Sequence, residues 1–269
     1  MGALSKNRLN WPVKPTPIYQ NGSLSRGLQF VSYADHVSTI KPFAGFLVVN
    51  TGSRLSGSGF GMTGRRFQGG AHSYNLDAPR TYSGSEGFSV EVLCAITAAP
   101  SLSGFMAVGT PGTTVNGAIR GLIAYSGGSN RNIYFWGGSS DLTSGVDWFI
   151  DGSLQHVIVT SDGGSGTAMR FYRNGAQIAS GTTPTLVTAG AVALIGDTQQ
   201  TWASSPTGVI FKTTYYSRGL NAGEVARLWK NPMDGWLPPK RRIWAPDTAP
   251  ATTYTPKSWV PSFGPIIAQ

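Results

Sequence analysis

Twelve carboxylates, three histidines and one cysteine are the groups in this chain that could carry acid–base, nucleophilic or metal chemistry. A retaining glycoside-hydrolase site needs two carboxyls about 5 Å apart, and a strand can deliver such a pair as acids at i and i+2. The acids are Asp35, Asp77, Glu86, Glu91, Asp141, Asp147, Asp151, Asp162, Asp197, Glu224, Asp234 and Asp247, and no strand-like run presents two at that spacing. Glu91 falls on such a run but opposite its apolar neighbours, which predicts a solvated outer position. His36, His72 and His156 stand in unrelated contexts, and no Gly-x-Ser-x-Gly elbow joins a strand to a helix. Cys94 keeps step with Phe88, Val90 and Val92, so a buried structural thiol is expected, and a single cysteine rules out a disulfide within the chain. The Gly163-Gly-Ser-Gly166 run lies between two strand-like runs, with no following helix to make a phosphate-binding loop. Asp141, Asp147 and Asp151 are close in sequence, and Asp162 and Asp197 occupy turn-like positions, but none falls in an EF-hand pattern. No catalytic residue, metal ligand or cofactor is predicted; calcium is the one ion these turn acids leave open.

Binding offers better candidates than catalysis. Sugar recognition uses exposed aromatic rings beside amides, because ring faces stack on the apolar C–H side of a pyranose. Trp202, in a polar loop with Gln199 and Gln200, and Tyr134 are the glycan-binding candidates. Trp136 and Trp148 are aromatic too, but they also fit core positions of a sandwich. Lys plus Arg exceeds Asp plus Glu by nine, so the surface should attract polyanions. That charge is spread along the chain instead of concentrated on one element with interleaved aromatics, which argues against a nucleic-acid reader. The first ten residues lack the apolar core of a signal peptide, and no segment approaches a membrane span. Synthesis in the cytoplasm without membrane insertion is the expectation.

The elements that must position these groups read as short strands. Gly at 36 positions, Pro at 17 and only 12% charged residues suit many strands joined by tight turns. Residues 155–160 alternate, 167–173 follow a Gly-rich turn, and Asn174-Gly175 predicts a type I′ hairpin into 176–178. Residues 191–195 and 208–216 are the next apolar runs. Asn221 and Glu224 form a capping-box pattern over a helix ending near Asn231, with Leu220 placed to pack on Val225. Upstream, 28–31, 43–49, 88–96, 104–108, 121–125, 132–136 and 146–150 read as strands. Three divisions are expected: an N-terminal arm over 1–20, one domain over 21–231, and a Pro-rich C-terminal arm over 232–269. Indole rings left in water forfeit roughly 2 kcal/mol each relative to burial, so Trp236, Trp244 and Trp259, flanking Lys240, Arg241 and Arg242, are expected to dock that arm, either on a neighbouring subunit or back over its own sandwich.

The order from Gln155 to Asn231 resembles the C-terminal half of the concanavalin A-like lectin and glucanase jelly rolls, in their laminin-G-like branch. That branch runs from "W-H-H-V-A-V-T" through "Y-V-D-G" and "I-G" to "Y-x-R-A-L-S-x-x-E-I". The matching residues are His156 to Thr160, Tyr172 to Gly175, Leu194 to Gly196, and Tyr216 to Val225. Upstream, Gly57 to Gly69 and Gly84 to Val92 are similar to the branch's "F-D-G … G-S-F-T-I-E-x-W" segment. The Pro232 to Trp244 stretch resembles an "N-P-W … P-R-R-R-I" tail of tailed-phage members. The resemblance implies an all-β, two-sheet antiparallel jelly-roll sandwich with one short C-terminal helix and extended terminal arms. It implies a packing role for His156, and it sets Ile210-Phe211-Lys212 where many members carry an Asp. The superfamily's hydrolases use E-x-D-x-x-E or E-x-D-x-E strands, which this chain lacks. The function so implied is a non-enzymatic phage virion protein: a head decoration or tail-associated subunit, homo-oligomeric, in contact with other capsid or tail proteins and able to hold a host surface glycan. The alternative is a carbohydrate-binding adhesin or tail-fibre module; a polysaccharide-degrading enzyme comes third.

Overall fold

The computed structural model describes residues 24, 26–33, 47–51, 56–60, 62–69, 73–77, 85–100, 102–109, 119–125, 131–136, 141–184, 192–196 and 205–232. The chain divides into two units, Met1–Pro238 and Pro239–Gln269, and every described residue belongs to the first. In chain order the strands begin with β1 (Leu28–Tyr33), β2 (Leu47–Thr51), β3 (Ser56–Gly59), β4 (Met62–Gln68) and β5 (Ser73–Asp77). There follow β6 (Phe88–Ala98), β7 (Leu102–Gly109), β8 (Ile119–Tyr125), β9 (Asn132–Trp136) and β10 (Asp141–Asp147). The last are β11 (Leu154–Ser161), β12 (Ala168–Arg173), β13 (Ala176–Thr182), β14 (Val192–Ile195) and β15 (Thr207–Tyr216), before helix α1 (Ala222–Lys230).

Two antiparallel sheets result, as expected for a jelly roll. The first runs β13-β12-β11-β6-β15-β4-β3, with β1 beside the second half of β15; the other runs β10-β9-β8-β7-β14-β5-β2. β15 is central because one edge pairs with β6 while the other is shared, Thr207 to Ile210 facing β4 and Lys212 to Tyr216 facing β1. Between the sheets lies the main core. Phe88, Val90, Val92, Cys94 and Ile96 point into it from β6, with Val157 and Val159 from β11 and Ile133 and Phe135 from β9. Phe88 stacks on Phe135 at 5.3 Å, and Phe105 on Trp148 at 4.0 Å. Cys94 is fully buried on the predicted face, and burial pushes its thiol well above the usual range.

A second apolar cluster covers the outer face of the first sheet. Leu93, Leu154, Ile158 and Phe211 from the strands pack with Leu24, Leu28, Leu220, Val225 and Leu228. The alternation at 155–160 therefore separates two cores instead of core from water, and all eight residues of β11 are buried. The helix is fastened at its start as predicted: Asn221 Oδ1 accepts from the Glu224 amide and a Glu224 carboxylate oxygen accepts from the Asn221 amide. Arg218 grips the same carboxylate with both guanidinium ends, at 2.7 and 2.8 Å. The hairpin at Asn174-Gly175 has positive φ at both residues, 54° and 82°, as a type I′ turn requires.

Two expectations about elements need correction. The run 146–150 is not a strand of its own: β10 ends at Asp147, and the Gln155 side chain then takes over the backbone of Phe149, accepting from its N–H at 3.0 Å and donating to its carbonyl at 2.8 Å. A side-chain amide thus supplies the pairing that a neighbouring strand would. β3, β4 and β5 were not foreseen, because Gly- and polar-rich sequence such as Ser56-Gly-Ser-Gly59 carries no two-residue apolar period.

Candidate functional site: a cleft on the outer face of the first sheet

Beyond the part of the outer face that the second cluster covers, the first sheet opens into a cleft of about 490 Å³. Its floor begins at Gly208, where β15 and β6 approach closely. Gly208 has φ 145°, and a Cβ there would lie 2.4 Å from the Ala95 carbonyl oxygen. The register breaks at this point: Thr207 faces Ala98 and Gly208 faces Ile96, so Thr97 is the bulged residue and turns its hydroxyl toward the Thr207 carbonyl at 3.4 Å. The Gly152 amide donates to the Ile96 carbonyl at 2.8 Å, which brings the turn before β11 to the rim. Val209, Phe211 and the outward Arg66 of β4 complete the lining with Gly59 and Phe60.

Phe60 is the most informative of these residues. Gly59 pairs with Met62, and Phe60 lies in the tight turn that joins β3 to β4. The Phe60 backbone has φ 56°, a left-handed conformation that Asn, Asp or Gly normally supplies in such turns. For a bulky side chain this costs roughly 1–2 kcal/mol. The ring is 48% exposed, its edge against Phe211 with centroids 6.4 Å apart. Among the described residues it is the only large hydrophobic side chain classed as exposed. Arg66 is also exposed, and its guanidinium has no partner among the described residues.

A second polar constellation has the composition of an active site but not its accessibility. On the outer face of the central strand, Glu91 lies diagonally between His156 of β11 and Lys212 of β15, the neighbours that a two-residue offset places within reach. Glu91 Oε1 accepts from Lys212 Nζ at 2.6 Å and from His156 Nε2 at 2.8 Å, and Lys212 also donates to the Pro232 carbonyl at 2.7 Å. Because the carboxylate only accepts, His156 carries a proton on Nε2. All three side chains in these ion pairs are 0% exposed. The Trp229 ring of α1 stacks over His156 at 6.1 Å, and the His156 amide and carbonyl bond Asn174 of the hairpin. Burial works to raise the Glu91 pKa, but the Lys212 charge and the His156 hydrogen bond outweigh it and hold the carboxyl at about 2. The expected solvated position of Glu91 is therefore corrected. Strand parity identified its face, but the helix and the second cluster seal that face from water. The group is closed off from solvent, and through the Pro232 carbonyl it pins the helix exit to the sheet.

The residues singled out from sequence lie elsewhere. Tyr134 is half-buried on the outer face of the second sheet, opposite Ile123 and Thr143 in register, and Trp136 is on that face as well. Trp136 is thus not a core residue, since Ile133 and Phe135 take the inward positions, whereas Trp148 is. Trp202, Gln199 and Gln200 lie outside the described residues, as do Trp236, Lys240, Arg241, Arg242, Trp244 and Trp259. The cleft residues were missed; an aromatic flanked by glycines, Gly59-Phe60-Gly61, is the signal that could have found them. Asp162 is held down by its hydrogen bond from Arg170, at 2.7 Å, and Asp151 by its hydrogen bonds from Ser153. Among the described residues no group of three His, Cys, Asp or Glu gathers as a metal site, and no helix is long and apolar enough to cross a membrane.

A family described as the concanavalin A-like lectin/glucanases superfamily, through a laminin-G-type member, matches residues 68–226. No curated protein matches the chain in sequence. Among solved structures, the chain is similar to domain 4 of AbnA, a GH43 extracellular arabinanase from Geobacillus stearothermophilus, in complex with arabinotriose. That similarity has TM-score 0.57 and 16% identity, over 75% of this chain and 97% of that one. It is similar to the binding domain of Paraclostridial Mosquitocidal Protein 1, with TM-score 0.55 and 13% identity over 76% of this chain and 52% of that one. The binding domain of botulinum neurotoxin DC, in complex with SialylT, gives TM-score 0.53 and 12% identity over 76% and 50%. The chain therefore spans about half the length of the two toxin domains. At these identities the likeness is one of fold.

Proposed function

Because this chain belongs to the concanavalin A-like lectin/glucanase superfamily, we propose that it is a non-enzymatic glycan-binding module whose ligand sits in the Phe60 cleft. The observation that carries this reading is the strained, exposed ring of Phe60 beside hydroxyl groups and a guanidinium. Backbone strain of this kind persists where function requires it, and an exposed ring edged by polar groups suits the apolar face of a pyranose. The arabinanase domain solved with arabinotriose and the toxin domain solved with SialylT support it at the level of fold. The non-enzymatic part rests on the carboxylates: the one strand glutamate at the sheet centre is sealed in an ion pair.

Phe60→Asn separates the ring from the turn. Asn accepts the left-handed conformation, so the variant should be as stable as the parent or more stable by about 1 kcal/mol. Glycan affinity should fall roughly 30-fold, the loss of one aromatic anchor of about 2 kcal/mol. Titration against the best glycan found on an array, beside a denaturant melt, checks both. Unchanged affinity would remove the cleft as the binding site.

We propose further that the module is a virion subunit, a head decoration or tail-associated protein, attached through its C-terminal arm. This rests on the likeness of the 232–244 stretch to tailed-phage members and on Trp236, Trp244 and Trp259 flanking Lys240, Arg241 and Arg242. A chain ending at Pro238 should keep the sandwich but no longer join particles, because the arm supplies docking area and not core. Incorporation equal to full length, with near-native circular dichroism, would dismiss the arm as the attachment device.

A further inference from the structure

The charge of the cleft says more about its ligand than the fold does. Arg66 lines the cleft, is exposed, and has no carboxylate partner among the described residues, in contrast to two arginines elsewhere on this unit. Arg170 holds Asp162 and Arg218 holds Glu224. Among the described residues no acid lines the cleft. Asp151, next in sequence to the rim residue Gly152, is occupied by the Ser153 amide and hydroxyl. A cation left unpaired beside an exposed ring, with Thr97 and Thr207 at hand, is arranged for one planar anion attached to an apolar-faced ring. The guanidinium fork matches a carboxylate through two parallel hydrogen bonds, where an ammonium would act as a point charge.

Resting on the glycan reading above, we infer that the cleft selects a carboxylate-bearing sugar, a uronic or sialic acid residue, with its ring against Phe60 and its carboxylate on Arg66. The test uses the full chain and three probe sets: acidic oligosaccharides, the same oligosaccharides with the carboxyl reduced to the alcohol, and sulfated neutral ones. Acidic glycans should bind roughly tenfold to a hundredfold more tightly than their reduced forms, the range expected for hydrogen bonds to a charged group. Arg66→Ala should erase that ratio, Arg66→Lys should restore only part of it, and rising salt should shrink it. Reduced glycans binding as tightly as acidic ones, sulfated glycans binding best, or a ratio unchanged by Arg66→Ala would overturn the inference while Phe60→Asn still reports on the cleft. Failure of every glycan to bind would overturn the glycan reading and this inference together.

Discussion

Lys212→Met should destabilise the folded protein by about 3–5 kcal/mol at neutral pH, the usual result of removing one partner from a buried ion pair. Methionine fills much of the lysine's volume, so the loss is electrostatic. It leaves the Glu91 carboxylate 0% exposed with only His156 to oppose its charge, and it leaves the Pro232 carbonyl without the ammonium that now donates to it. Replacing all three members together, with Glu91→Leu, His156→Phe and Lys212→Met, should recover most of that stability, because no ion then has to be desolvated. Denaturant unfolding of the two variants at pH 7 checks both statements. A small deficit in the single variant would show that the ion pair contributes little.

The same group makes an acid signature. The Glu91 carboxyl is held at about 2 in the folded protein and titrates near 4.5 when free of it. Between those values the unfolded chain binds more protons than the folded one, so this contribution is complete above pH 4.5 and is lost as pH falls toward 2. In Lys212→Met this contribution shrinks, since the lysine's lowering influence is gone while burial still works to raise the carboxyl. The stability gap between parent and variant should therefore be widest at pH 7 and narrow steadily toward pH 3. A gap that stays constant would mean that Glu91 is not ionised in the folded protein.

Local chemistry was legible in the sequence wherever one or two residues determine the geometry. Asn174-Gly175 announced its turn because few residues accept positive φ, and Asn221 with Glu224 announced the helix start because side chains at that spacing satisfy free amides. The face of Cys94 followed from the two-residue period of β6. What covers a face is a different matter. Glu91 was placed on the correct side of its strand, but period alone does not reveal that Val225, Leu228 and Trp229 of a distant helix lie above the sheet. Lys212 was harder still, because the register break between Ile210 and Lys212 makes Phe211 an extra residue and sends two consecutive side chains to the outer face. The cleft was hidden for the same reason. It joins Phe60, Arg66, Thr97, Gly152 and Thr207, which only the pairing of β4, β6 and β15 brings together.

Gly208→Ala should be among the most damaging single-methyl changes in this chain, lowering stability by roughly 3 kcal/mol or more. Two penalties combine there. The residue has φ 145°, which L side chains rarely adopt, and the added Cβ would meet the Ala95 oxygen at 2.4 Å and the Ile96 Cα at 2.6 Å. Both obstacles are backbone, so no rotamer change relieves them; β6 and β15 have to separate or shift register. They are the central strands of the first sheet, paired from Thr207↔Ala98 to Tyr216↔Ser89. Separating them would also displace Thr97 and Thr207 from the cleft rim, so glycan affinity should fall with stability in this variant, whereas Phe60→Asn loses affinity alone. Thermal unfolding of both variants beside the same glycan titration makes the comparison. Near-parental stability in Gly208→Ala would mean that β6 and β15 are farther apart at this bulge than the structure places them, and that the floor of the cleft is built differently.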